Sequence, residues 1–287
     1  MRRMAVVLCT VVLLCGALGT ALRNRAAKES RAMAQPTVQL PIAMYHSVTD
    51  EGNSPAEYVI SPKRLEEDLQ MLQREGWETV TIQEVVDYVE NGTPLPEHPV
   101  MLTFDDGYYN NYVNAYPLLK QYGMKGVLSP VGTLTEQFTQ AEEAPHEAWS
   151  YCTEQQLMEM AQSGVMELQN HSFSFHELSP RRGCLRRQGE ERAAYQEIFR
   201  TDTRRAQEIL ERLRVGKPLC YTYPYGARND ETDALVEQCG FVSSLSCEEG
   251  INYLTHDKRC LYKLKRWNRD GRQSTERFWS TVRREMQ

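Results

Sequence analysis

The chain has 287 residues, enough to bury a full core as one large α/β domain or two small ones. A charged fraction of 25% and a hydrophobic fraction of 41% exclude a disordered chain, and a formal net charge of -6 argues against a general nucleic-acid binder. The charge is uneven: residues 263–284 hold eight Lys/Arg against two Asp/Glu, which reads as a solvated face or as a surface attracted to an anionic wall polymer or membrane.

Arg2 and Arg3 precede residues 4–22, an apolar run with no charge, and Arg23, Arg25 and Lys28 follow it. A basic region before an apolar stretch is a secretory address. The run is also just long enough to span a bilayer as a helix. Residues 1–22 are therefore expected to be a signal peptide, cut near Gly19-Thr20-Ala21, or a retained membrane anchor, and the length of the run favours retention. Residues 23–38 are polar and aperiodic and read as a linker, leaving residues 39–287 as the working domain, outside the cytoplasm. Of eight cysteines, Cys9 and Cys15 lie in the apolar run. The other six leave both disulfides and buried thiols open, and no CxxC suggests a thiolate zinc site.

From Leu40 onward strands and helices alternate. "LPIAMY" reads as a strand. Ser61-Pro62 caps a helix with an apolar stripe at Leu65, Leu69 and Leu72, ended by Gly76. "TVTI" reads as a strand and residues 83–90 as a helix closed by Asn91-Gly92. "VMLTF" is a strand that runs into "DDGYYNN", and Tyr112, Tyr116 and Leu119 then have helical spacing. "GVLSPVG" is a strand, residues 153–163 a helix, "VMELQ" a strand and residues 190–214 a long helix. "LCYTY", a helix at residues 230–239 and "FVSSL" complete the series. This alternation predicts an α/β fold with a parallel sheet, and seven or eight strands suit a barrel better than an open sheet.

Three polar segments, "DDG", "NHSFSFH" and "PYG", follow directly on predicted strands. In parallel α/β folds such loops meet on one face, where active sites form. Asp105 and Asp106 are adjacent carboxylates with no basic neighbour close in sequence. They form either an Asp-Gly turn or a site whose charge a metal or proton offsets. His171 and His176 are five positions apart, a spacing that separates two side chains on a helix or a strand and brings them together only in a loop. One carboxylate and two imidazoles make a borderline donor set suited to Zn²⁺, with room left for water. The second aspartate is then free to act as a base. His46 in "AMYHSV" leaves another strand and is either structural or an acid facing the same pocket. In "YTYPYG", residues 221–226, backbone N–H groups at the turn could bind an oxyanion and the rings of Tyr223 and Tyr225, beside Pro224, could stack on sugars. A buried tyrosine-rich strand end is the plainer alternative. His98, His146 and His256 lie in polar loops and carry no role in this reading.

Taken in order, "TFDDG", the histidine motif and "PYG" resemble the polysaccharide deacetylases, the NodB-homology enzymes of carbohydrate esterase family 4, over about residues 40–270. The resemblance implies a distorted (β/α) barrel of about seven parallel strands, preceded here by the N-terminal apolar helix, and metal-dependent removal of acetyl groups from N-acetylated or O-acetylated polysaccharide or peptidoglycan. It implies Asp105 as catalytic base and Asp106, His171 and His176 as ligands of a divalent metal, Zn²⁺ with Co²⁺ or Ni²⁺ as alternatives. The family's usual histidine motif has four-residue spacing, and here Phe175 stands at that position. The longer spacing is similar to that of the poly-β-1,6-N-acetylglucosamine deacetylases, which also carry an early "YH" histidine proposed as the catalytic acid. That likeness points to His46 as the imidazolium that protonates the leaving amine. The backbone N–H of Tyr225 and the metal would stabilise the oxyanion. The arginine usual in the third motif is Tyr221 here, which leaves the residue that positions the base unassigned, with Arg266 in "LKRWNR" a candidate for polar support. A monomer that acts on acetylated polymer at the membrane is expected. The rival reading is an inactive carbohydrate-binding member of the same fold, supported by the missing arginine.

Overall fold

The computed structural model describes residues 37–51, 55–214 and 216–287. The apolar segment 4–22 and nearly all of the linker lie outside the described residues, as does any helix formed there. Among the described residues, no helix is long and apolar enough to cross a membrane.

The unit Gln39–Gln287 has an α/β fold with a parallel-strand core. Strands β1 (Ile42–Tyr45), β2 (Pro99–Asp106), β3 (Gly126–Pro130) and β4 (Met166–Leu168) pair in that order, and β7 (Trp267–Asn268) pairs on the other side of β1. Strands β5 (Cys220–Thr222) and β6 (Ser243–Leu245) form a second parallel pair. A single bridge joins Asn170, just after β4, to Tyr221 in β5, and another joins Leu245 in β6 to Leu264, just before β7. All eight residues of β2 are buried, which is why its first part reads as a largely apolar run rather than an alternation.

Helices follow the strands as expected, with shifted ends. In α1 (Pro62–Arg74) the Ser61 hydroxyl accepts the Arg64 N–H at 3.1 Å, and Leu65, Leu69 and Leu72 are fully buried. Burial of each leucine contributes about 1.5–3 kcal/mol. The expected "TVTI" strand is shorter, because only Glu78–Thr79 pairs with β2. Thr81 instead caps α2 (Ile82–Asn91) in a reciprocal box with Glu84, a local hydrogen-bonding preference that outweighs the β-branched run. Helices α3 (Tyr116–Gln121), α4 (Gly132–Gln140), α5 (Glu154–Gln162), α6 (Arg192–Arg212), α7 (Asp230–Gln238) and α8 (Thr275–Glu285) follow. The sequence reading left out α4 and α8. The six described cysteines are free thiols.

The basic C-terminal run is only partly a solvated face. Arg266 and Arg269 are buried. Arg269 forks onto Asp68 of α1, with Nε to Oδ2 at 2.7 Å and Nη2 to Oδ1 at 3.0 Å. The hydroxyls of Tyr45 and Thr275 donate to the same carboxylate at 3.0 and 2.6 Å. The group thus ties β1, α1, the segment after β7 and the first residue of α8. An ion pair this deep is stabilising only while complete, since a lone charge left inside is strongly unfavourable. Asp68→Ala, which leaves the Arg269 guanidinium unpaired, is expected to cost about 3–5 kcal/mol in chemical denaturation. A loss below about 1 kcal/mol, the range of exposed pairs, would show that the network is dispensable.

Candidate active site

Adjacent residues on a strand point to opposite faces, so Asp105 and Asp106 should not share a cavity. They do, because the chain turns between them. Asp106 has φ 70° and Gly107 φ 79°, both in the left-handed region. Glycine is required at the second position, since a Cβ there would lie 2.7 Å from the Cβ of Pro130. Both carboxylates thereby line a cavity of about 830 Å³ at the end of β2, together with His46, His171 and His176.

The two histidines reach this cavity through the loop after β4. Ser172 has φ 66°, which turns the chain after His171. Phe173 and Phe175 are buried, the first against Ala206 and Ile209 and the second against Phe199. Asp202 of α6 closes the turn: its carboxylate accepts the N–H groups of Phe173 and Ser174 at 2.8 and 2.7 Å and the Ser174 hydroxyl at 2.6 Å. His171 and His176 then bring Nε2 to 3.3 and 2.9 Å from Oδ1 of Asp106. The ligand atoms of the three residues all lie within 4.8 Å of one another.

This donor set fits a divalent cation. Nδ1 of His171 lies 2.8 Å from the Thr222 carbonyl, which can only accept, so Nδ1 carries the proton. The Nε2 lone pair is left facing the Asp106 carboxylate. Two acceptors so placed repel unless a cation or a proton lies between them. In the metal-free protein the proton serves. Burial lowers the His171 pKa, but Asp106 and Asp105 outweigh it and raise it above the ordinary value. Burial likewise disfavours the Asp106 anion, but His171 and His176 hold its pKa well below the usual carboxylate range.

Asp105 has a different partner. Arg266, fully buried, forks onto it with Nη1 to Oδ1 at 2.7 Å and Nη2 to Oδ2 at 2.9 Å, and anchors itself through Nε to the Ser246 carbonyl at 2.8 Å. Burial opposes the Asp105 charge, and Arg266 followed by His171 outweighs burial to hold its pKa low. Tyr221, at the place of the missing arginine, packs its ring among Phe199, Tyr223 and Phe241 instead.

His46 lines the cavity with its ring edge-on to Tyr58 at 4.8 Å. The Asn111 amide donates to the His46 carbonyl at 2.8 Å, and Asn110 bonds both Val48 and Ser47, so the "YYNN" asparagines fasten this loop. Burial lowers the His46 pKa, with Asp105 and Asp106 opposing. Burial thus favours the neutral imidazole, so an imidazolium here depends on the two carboxylates. Tyr225, at φ 56°, stacks on His176 with centroids 4.6 Å apart and lines the cavity. Tyr223 and Pro224 do not line it: both are buried, and the Tyr223 hydroxyl donates to Asp233 at 2.8 Å. Strand alternation directs the Tyr223 ring into the aromatic core.

Residues 92–243 match the polysaccharide deacetylase family. The protein YxkH of Bacillus subtilis (strain 168) is 30% identical over 227 residues, 79% of this chain and 71% of the relative. A poly-β-1,6-N-acetyl-D-glucosamine N-deacetylase of Escherichia coli (strain K12) is 26% identical over 226 residues, 72% of this chain but only 34% of that enzyme. The de-N-acetylase of Aggregatibacter actinomycetemcomitans matches in structure with a TM-score of 0.69 at 25% identity, over 83% of this chain and 97% of that one.

Asp202→Asn replaces one acceptor oxygen by a donor facing N–H groups, so the histidine loop loosens. Calorimetric titration with Zn²⁺ is expected to show metal affinity about 10- to 100-fold weaker. Unchanged affinity would confine Asp202 to a packing role. A second expectation concerns pH. A raised His171 pKa stabilises the metal-free fold below about pH 6.5 and is lost as pH rises through its folded value, while a depressed Asp106 pKa stabilises above about pH 4 and is lost on acidification. A cation that takes the proton's place should therefore raise Tm more as pH increases past about 6.5. A metal-induced Tm increment that shrinks over that range would contradict the assignment.

Proposed function

Because this chain belongs to the polysaccharide deacetylase family, we propose that its substrate is an N-acetylglucosamine polymer of the poly-β-1,6 kind, with Zn²⁺ as the metal. That the protein is a metal-dependent hydrolase acting on N-acetylated carbohydrate rests on one observation above all: a buried Asp106–His171–His176 group beside a second carboxylate that has its own cationic partner. The polymer assignment is supported by the five-residue histidine spacing, by His46 at the first strand exit and by the named activity of the Escherichia coli relative. Residues 39–287 are read as the deacetylase domain, closing as a distorted barrel through the bridges at Asn170 and Leu264. Residues 4–22 are read as the segment that brings it to the outer face of the membrane.

When bound by Asp106, His171 and His176, a divalent cation supplies Lewis-acid polarisation of the acyl oxygen and lowers the pKa of water at the site. Asp105, ionised and held by the Arg266 fork, accepts a proton from the attacking water as its oxygen adds to the acyl carbon. The backbone N–H of Tyr225 donates to the oxygen that gains charge. Collapse of the adduct breaks the C–N bond, releasing acetate, and the leaving nitrogen needs a proton. His46 delivers it. Burial lowers the His46 pKa, and the proton collected by Asp105 can supply the one it delivers.

Acetate release from N-acetylglucosamine oligomers should stop on chelation and return with added Zn²⁺. Asp105→Asn should lower kcat by about 100- to 10,000-fold while Zn²⁺ content stays at the wild-type level. Turnover indifferent to chelation refutes the metal-dependent reading, and metal loss in Asp105→Asn would move that residue from base to ligand.

A further inference from the structure

A line of aromatic rings leaves the cavity on the Asp106 side. Tyr108 lines the cavity and stacks on Tyr151, with centroids 4.7 Å apart and planes 24° from parallel. Tyr151 meets Phe138 at 5.5 Å, Phe138 meets Trp149 at 6.4 Å, and Trp149 stacks on His146 at 5.1 Å and 14°. Trp149 is 55% exposed.

The loop that carries Trp149 is held firmly. Tyr109 N–H donates to the Ser150 carbonyl and Cys152 N–H to the Gly107 carbonyl, each at 2.8 Å, which fixes the loop to the turn behind Asp106. Within the loop, His146 N–H donates to the Ser150 hydroxyl at 2.7 Å and Ser150 N–H to the His146 carbonyl at 3.0 Å. Glu147 Oε1 accepts from Thr49 and Asn114 at 2.6 and 2.7 Å. A loop fastened at several points thus presents a large aromatic side chain to solvent instead of folding it away. Half-buried rings of Tyr108, Tyr151 and Phe138 thus lead from the reaction cavity to one exposed ring, an arrangement that suits binding better than packing.

We infer that this strip binds a neighbouring sugar unit of the polymer whose acetyl group occupies the cavity. A sugar ring presents C–H faces that pack on aromatic rings while its hydroxyls stay in water. A polymer substrate does not end at the cavity, and the strip begins where the cavity does. The inference rests on the deacetylase reading and extends it: the protein would prefer long chains to short ones.

The test compares an N-acetylglucosamine disaccharide with a hexasaccharide. Trp149→Ala should lower kcat/KM on the hexasaccharide about five- to tenfold, through KM, and several-fold more than on the disaccharide. Trp149→Phe should restore most of the loss, which a collapsed loop would not allow. An equal effect on both substrates, or none on either, overturns the inference. Tryptophan fluorescence of the metal-free protein, titrated with the hexasaccharide, separates the two readings. A response lost in Trp149→Ala supports the strip even if no acetate is released, and an identical response in wild type and variant sinks it whatever the activity.

Discussion

Two neighbouring carboxylates buried at the end of one strand set the terms for everything around them. Left unpaired, Asp105 and Asp106 would repel each other and lose their hydration. The structure meets this with two separate solutions. Asp105 receives a guanidinium in a bidentate fork, which keeps it ionised and fixes its orientation. Asp106 receives two imidazoles whose lone pairs need a cation. Adjacent residues of one type thus acquire different surroundings, one an ionised carboxylate held by a guanidinium and the other a member of a metal-binding donor set, and only their partners distinguish them.

Those partners come from distant parts of the chain, and each is fastened by a group with no part in the reaction. Arg266 is anchored on the Ser246 carbonyl, the histidine loop on Asp202 and the His46 loop on Asn110 and Asn111. Three positions after Arg266, Arg269 enters the opposite side of the core to meet Asp68. A short stretch of β7 and its flanks therefore contributes once to the site and once to the scaffold, so loosening either ion pair should disturb the other's setting.

The strand and helix order was legible because each strand here is a short apolar run ended by a polar or glycine-bearing turn. The convergence of "DDG" and the histidine loop was legible because both follow strands of one parallel sheet. Thr81 escaped because a capping threonine and a strand threonine look alike without their partners. For Tyr223 the two alternatives separate only in the structure, because the strand end carries alternation one residue further than the "PYG" turn suggests and sends the ring into the core. Asp202 carries a legible signal: it lies on the buried stripe Tyr195, Phe199, Thr203, Ala206 of α6, and an acid on a buried face must have partners. The burial that lowers the His46 pKa was not legible at all, since it is set by the packing of Tyr58 and the loops around it.

Tyr221 shows why charge is a better guide here than motif. Judged by position, loss of the third-motif arginine argued for an inactive fold. Judged by electrostatics, the requirement was a cation beside Asp105, from whichever strand could supply one. β7 lies next to β1 and β1 next to β2, so a side chain just before Trp267 can reach across to the end of β2. Arg266 does so, leaving position 221 free to become part of an aromatic core with Phe199 and Phe241. The basic run near the C-terminus reads as surface by its charge, yet Arg266 within it, the candidate for polar support, supplies the cation that a buried carboxylate at position 105 requires.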